Sequence, residues 1–137
     1  MSWEFETDPE FEEKLAWMRG FVRDEVEPLE LVYPDDVYKM PQSEDITLLL
    51  RPLKAEVKKR GLWAAHLGPN LGGQGYGQVK LALMNEVLAQ SPWGPRVFGC
   101  QAPDTGNAEI LAHYGTPSRR PSTWSPCSRA TSSRATP

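Results

Sequence analysis

Apolar residues recur at Phe11, Leu15, Met18, Val22, Val26 and Leu29, close to the period of an α-helix, and Trp17 and Phe21 widen the stripe. A stripe with this spacing predicts a helix that buries one face in a core. Thr7 with Glu10 three residues on forms a potential capping box, and Asp8 as cap with Pro9 at the first helical position is an equal alternative. Pro28 is expected to bend or end this helix, because it has no backbone N–H and its ring crowds the preceding turn. Residues 30–45, ELVYPDDVYKMPQSED, lose the period and read as a loop. A second helix is expected over about residues 46–60, with Leu53 and Val57 facing the core and Gly61 as its stop. Pro52 lies inside that span, so its start is expected to move to Arg51 or Pro52. Lys58, Lys59 and Arg60 fall in its last turn, where cations suit the helix dipole; that reading is preferred to a phosphate site.

Residues 61–77, GLWAAHLGPNLGGQGYG, begin as an apolar turn or short helix from Leu62 to Leu67 and become glycine-rich. They hold no GxGxxG leading out of a strand and no Lys-Ser/Thr of a phosphate loop. Close approach of backbone segments is the better reason for the glycines. A third helix is expected over about 78–90, carrying Val79, Leu83, Val87 and Leu88 and stopped by Ser91-Pro92. Residues 91–104 have no period and read either as a pocket wall or as an ordered connection. A fourth helix near 105–114 carries Ile110, Leu111 and Tyr114, with Asp104 or Thr105 as its cap and Gly115 as its stop. No stretch alternates with period two. The fold class is therefore all-α, with about four helices and an irregular C-terminal tail.

Composition changes this picture little and charge changes it more. The 137 residues suffice for one small core, and 39% hydrophobic with 24% charged residues suits a soluble chain, although 13 prolines are many for a helical one. All 18 acidic residues lie before residue 118, where they face 11 Lys and Arg, a net of −7. Such a body is a poor partner for nucleic acid. No apolar run reaches the length of a membrane span. The acidic start, MSWEFETDPE, lacks the basic region of a secretory signal, and the expected location is the cytoplasm. Cys100 and Cys127 are too far apart to form a close metal pair and read as reduced structural thiols.

Catalytic chemistry is not legible from residue types alone. His66 and His113 lack the spacing of a metal-binding helix and read as structural. There is no GxSxG, no Cys–His signature and no isolated pair of carboxylates. No catalytic residue and no metal site are assigned.

In combination the motifs say more. GLWAAHLGPNLGGQGYG resembles a conserved segment of the acyl-CoA dehydrogenase family that joins two helices of its N-terminal domain. The later FGCQAPDTGN, followed by the L and YG of ILAHYG, is similar to the branch of family members 10 and 11 and their bacterial relatives. The resemblance covers about residues 7–117 and implies an N-terminal helical domain, which in the family is followed by a β-domain and a C-terminal helical bundle. It implies FAD as cofactor, acyl-CoA as substrate, electron-transfer flavoprotein as electron acceptor, and a homo-dimer or tetramer. The implied reaction removes two hydrogens across the α and β carbons of an acyl-CoA thioester, with a carboxylate as general base and flavin as hydride acceptor. The resemblance places Phe98, Gln101, Asp104, Thr105 and Asn107 near the substrate tail or the flavin. It places the catalytic glutamate and much of the FAD cradle in parts this chain does not carry, so the chain is expected to be inactive alone.

Domain organisation follows: residues 1–117 as the helical domain and 118–137 as a tail. The tail, SRRPSTWSPCSRATSSRATP, has six Ser, four Arg, three Pro and no period, which composition assigns to disorder. The family instead continues with a pattern similar to EQK…LEPLL.G.I.S. If Ser118 is AGC, Arg119 AGA, Arg120 AGG and Pro121 CCN, the same bases read one position upstream can encode EQKAKYLEPLLEGDIVSSHA. Trp124, with its single codon TGG, then forces Leu, Val or Met at the family's leucine position. A frameshift near residue 118 is the expectation, against a natural Arg-rich tail as the alternative.

Overall fold

The computed structural model describes residues 7–39, 42–71, 73–102 and 104–116. Among them there is no β-strand. Helix α1 spans Pro9–Phe21. Asp8 is its cap: the carboxylate accepts from the Phe11 N–H at 2.9 Å, with Pro9 at the first position, which decides between the two capping alternatives.

The six apolar positions of the first stripe are all buried, from Phe11 to Leu29. They do not lie on one regular helix. Residues Val22–Val26 form a π-helical turn and α2, Pro28–Val32, continues beyond it. Glu27 N–H donates to Val22 O, five residues back, at 2.8 Å. Pro28 explains the slip, since it cannot donate to Asp24 O and its ring would crowd that carbonyl in an α-helix. Pro28 thus bends the helical path without ending it, and the expected loop starts only after Val32.

Helix α3 spans Glu44–Lys59, with Pro52 inside it. This corrects the expected start at residue 51 or 52. Ser43 supplies the signal that outweighs the proline: its hydroxyl accepts from the Ile46 N–H at 3.4 Å, and Glu44 and Asp45 follow in the first turn. Pro52 and Leu48, the residue whose carbonyl loses its donor, both lie on the exposed side, where water can replace the bond. Ile46, Leu50 and Val57 face inward. The helix ends at Gly61 with φ +68°, Gly61 N–H bonding Lys58 O at 3.0 Å and Leu62 N–H bonding Val57 O at 3.1 Å. That pair of bonds is a Schellman motif, and it needs a residue at ease in the left-handed region.

Residues Leu62–Leu67 form the expected buried turn, and a short 3₁₀ turn follows at Pro69–Leu71. Gly73 stands where a Cβ would come within 2.0 Å of Leu67 O, so close backbone approach is what this glycine provides. Helix α4, Gly77–Leu88, packs on α1 and buries Met84, Val87 and Leu88, while Val79 is 58% exposed. The segment after it contains a helix missing from the sequence reading, α5 at Gly94–Phe98. Five residues are too few to display a period. Trp93, Val97 and Phe98 are fully enclosed there, and α5 packs on α3, α4 and the π turn. Helix α6 spans Asp104–Tyr114, so Asp104 and Thr105 lie within it and neither is its cap. Its principal contact among the described residues is with the 3₁₀ turn. Ile110 and Tyr114, which it carries, are exposed.

Candidate functional site

The residues assigned by resemblance lie around the corner from α5 to α6. The C-cap of α5 is Gly99 with φ +70°, and a Cβ there would lie 2.6 Å from the Trp63 ring. That contact presses residues 62–67 against the corner. Ala64 N–H donates to Phe98 O at 3.0 Å, and Ala64 itself sits at φ +52°, a strained value for a residue with a side chain.

The assigned residues do not act alike. Phe98 is turned into the core, with its ring 6.0 Å from that of Phe21 in an edge-on arrangement. Gln101 is half-buried, and its Oε1 is enclosed without a hydrogen-bond partner. Gln101 O accepts from Thr105 N–H at 3.1 Å, which brings these two residues together at the start of α6. Thr105 is half-buried and Asn107 is exposed. Asp104 opens the helix.

The structure adds His66. Both ring nitrogens are enclosed and unpartnered, so an imidazole with one donor and one acceptor has neither satisfied. Burial pushes its pKa below the ordinary value, opposed by the charge of Glu109 on α6. Sequence spacing gave no signal for this, because orphaned atoms exist only once the 62–67 turn is folded against its neighbours. Cys100 is a free thiol that contacts Phe98 O at 3.6 Å, and burial raises its pKa, which makes it a poor nucleophile. Cys127 lies outside the described residues.

Two limits on the chemistry follow. Among the described residues no three His, Cys, Asp or Glu side chains come together to hold a metal ion. No helix among them is long and apolar enough to cross a membrane. Gln101 Oε1 at the corner and the His66 nitrogens in the 62–67 turn are enclosed polar atoms without hydrogen-bond partners.

The helical fold of the described residues is that of a class of solved protein. A solved Mycobacterium abscessus structure of acyl-CoA dehydrogenase type superposes with a TM-score of 0.65 at 31% identity, covering 87% of this chain and 31% of that one. Acyl-CoA dehydrogenase family member 10 of Mus musculus is 40% identical over 73 residues, 50% of this chain and 7% of that protein. Acyl-CoA dehydrogenase family member 11 of Homo sapiens is 33% identical over 108 residues, 77% of this chain and 14% of that protein. No family model matches the chain. The fold is that of the helical N-terminal domain of acyl-CoA dehydrogenases. This chain is related to the acyl-CoA dehydrogenase family through that N-terminal region, and spans only 7% to 14% of the two curated relatives named here.

Proposed function

We propose that this chain is the N-terminal domain of an FAD-dependent acyl-CoA dehydrogenase and has no dehydrogenase activity alone. The observation that carries the reading is the unequal coverage: 87% of this chain superposes on a dehydrogenase-type structure, but on only 31% of it. In the whole enzyme the substrate is an acyl-CoA thioester, electron-transfer flavoprotein takes the electrons, and the assembly is a homo-oligomer. Bound flavin supplies the hydride acceptor. No reaction step is assigned to this chain. Its part is to wall the site: Gln101 and Thr105 as polar contacts, Asp104 and Asn107 on the same helix, and Phe98 as the packing that holds the wall. Titrating the full chain with FAD while recording the visible spectrum, then adding an acyl-CoA and an artificial electron acceptor, tests this. The expected result is neither saturable flavin uptake nor turnover; turnover overturns the reading.

A second reading is a standalone helical binding module. It is favoured by the one continuous core that runs from Phe11 to Phe98. A sharp two-state melt of a monomer supports it. Aggregation through exposed Leu31, Val32 and Tyr114 supports a domain that needs its missing neighbours.

The domain limit at residue 117 and the frameshift in 118–137 belong to the same proposal, and the tail lies outside the described residues. Reading the coding DNA beyond codon 118 decides it. A one-base shift that opens a long dehydrogenase-like frame is expected, and its absence ends the idea.

A further inference from the structure

A groove of about 690 Å³ runs between the start of α1, the end of α3 and the entry to α4. Four cations line it, Lys14, Lys59, Arg60 and Lys80, against two carboxylates, Asp8 and Glu10. The surplus is two positive charges, in a body whose 18 acidic residues outnumber its basic ones. Along the sequence, Lys59 and Arg60 needed no more than the helix dipole to explain them. The fold brings Lys14 from α1 and Lys80 from α4 to the same place.

The cations are not equally engaged. Lys14 is paired with Glu10 and Lys80 with Asp8. Arg60 bonds Glu56 at 2.9 Å from outside the lining, and its guanidinium lies 4.3 Å over the Trp17 ring. Lys59 forms no ion pair among the described residues. The C-terminus of α3 and the N-terminus of α4 both end here with opposite partial charges, so the side chains decide the sign of the groove. The junction is fixed as well: Tyr76 donates its hydroxyl to Gly61 O at 2.9 Å, tying the exit of α3 to the entry of α4.

We propose that this groove binds a small organic phosphate, its phosphoryl group seated on Lys59 and Arg60 with Lys14 and Lys80 adding attraction. Lys59, which has no ion pair among the described residues, supplies a full charge for a phosphoryl group, and the Arg60 guanidinium, bonded to Glu56 through Nε, has further N–H donors that suit its oxygens. The volume falls within the usual range of small-molecule sites and leaves room for an organic body beside the phosphate. The site is separate from the α5–α6 corner and does not depend on the dehydrogenase reading.

Isothermal titration of the full chain tests it, with adenosine monophosphate, inorganic phosphate and uncharged adenosine as probes. Saturable binding of the nucleotide is expected, weakened by added salt and by at least about tenfold in Lys59→Gln/Arg60→Gln. Inorganic phosphate binding as tightly as the nucleotide assigns the same site to the free ion. Lys59→Gln alone, at an exposed position without an ion pair, serves if the double variant loses its fold, and Lys39→Gln controls for net charge. The proposal is overturned if neither phosphate probe saturates at millimolar concentration. It is also overturned if adenosine binds as well as its monophosphate, or if Lys39→Gln weakens binding as much as Lys59→Gln.

Discussion

Trp93 and Ile110 are both large apolar residues in the second half of the chain, yet Trp93 is fully enclosed and Ile110 is 60% exposed. The first belongs to the body from α1 to α5, where helices from both ends of the sequence share one core. The second belongs to α6, which leans on a 3₁₀ turn and presents Ile110 and Tyr114 outward. A helix acquires a buried face only where another element covers it. The body supplies its own cover, whereas α6 carries apolar residues that the other described residues leave exposed. The polar side does not follow the same division: Ser91, fully buried in the body, accepts from Trp93 N–H at 3.2 Å, yet Trp93 Nε1 in the body is enclosed without a hydrogen-bond partner, like Gln101 Oε1 and the His66 nitrogens beside α6.

The comparison breaks most readily at Trp93. Trp93→Ala should cost about 3–5 kcal/mol, because a large side chain is lost from a closed core, and denaturant unfolding of the full chain measures it. A cost near zero would mean that the core is not shared as described. Gly99→Ala comes next, at about 1–3 kcal/mol, since it combines a left-handed backbone with a Cβ pushed against Trp63. It should also disturb the α5–α6 corner, visible as a change in near-ultraviolet circular dichroism. Ser43→Ala should cost about 1 kcal/mol by removing the cap that starts α3 ahead of Pro52.

His66 sharpens the contrast through pH. Its folded pKa is depressed below the ordinary value of 6.5, so below that pH the unfolded chain takes up a proton that the folded chain resists. Stability should therefore fall as pH drops below about 6.5, and His66→Phe should flatten that part of the profile in thermal melts at several pH values. An unchanged slope would show that the imidazole is not enclosed as described. The smallest effect is expected at α6: Ile110→Ala and Tyr114→Ala should each change stability by no more than about 0.5 kcal/mol. A loss comparable to that at Trp93 would show that this chain does cover α6.

The first helical stripe was legible because six apolar residues at helical spacing give an unambiguous face, and all six are buried. The stop at Gly61 was legible because glycine chemistry is local. Pro52 misled because a proline's cost depends on which side of the helix its ring and the freed carbonyl face. Helix α5 was missed because five residues carry no period, although Pro95 and Gly99 mark its ends. The exposure of Val79, Ile110 and Tyr114 was not legible, because an apolar residue on a helix does not reveal whether a partner exists. The candidate site was named from motif resemblance alone, and the fold separated its members into packed Phe98, half-buried Gln101 and Thr105, and exposed Asn107.

By itself, then, the sequence determined the all-helical class, the first core stripe and the likeness to acyl-CoA dehydrogenases, since periodicity, turn residues and motifs are properties of neighbours along the chain. Only the tertiary structure decided that Pro28 yields a π turn within a continuing helical path, that His66 is enclosed without partners, and that Lys59 and Arg60 share a groove with Lys14 and Lys80. Those outcomes depend on which segments meet in space. Burial, orphaned atoms and converging charge are set by residues far apart in the chain, and local pattern carries no record of them.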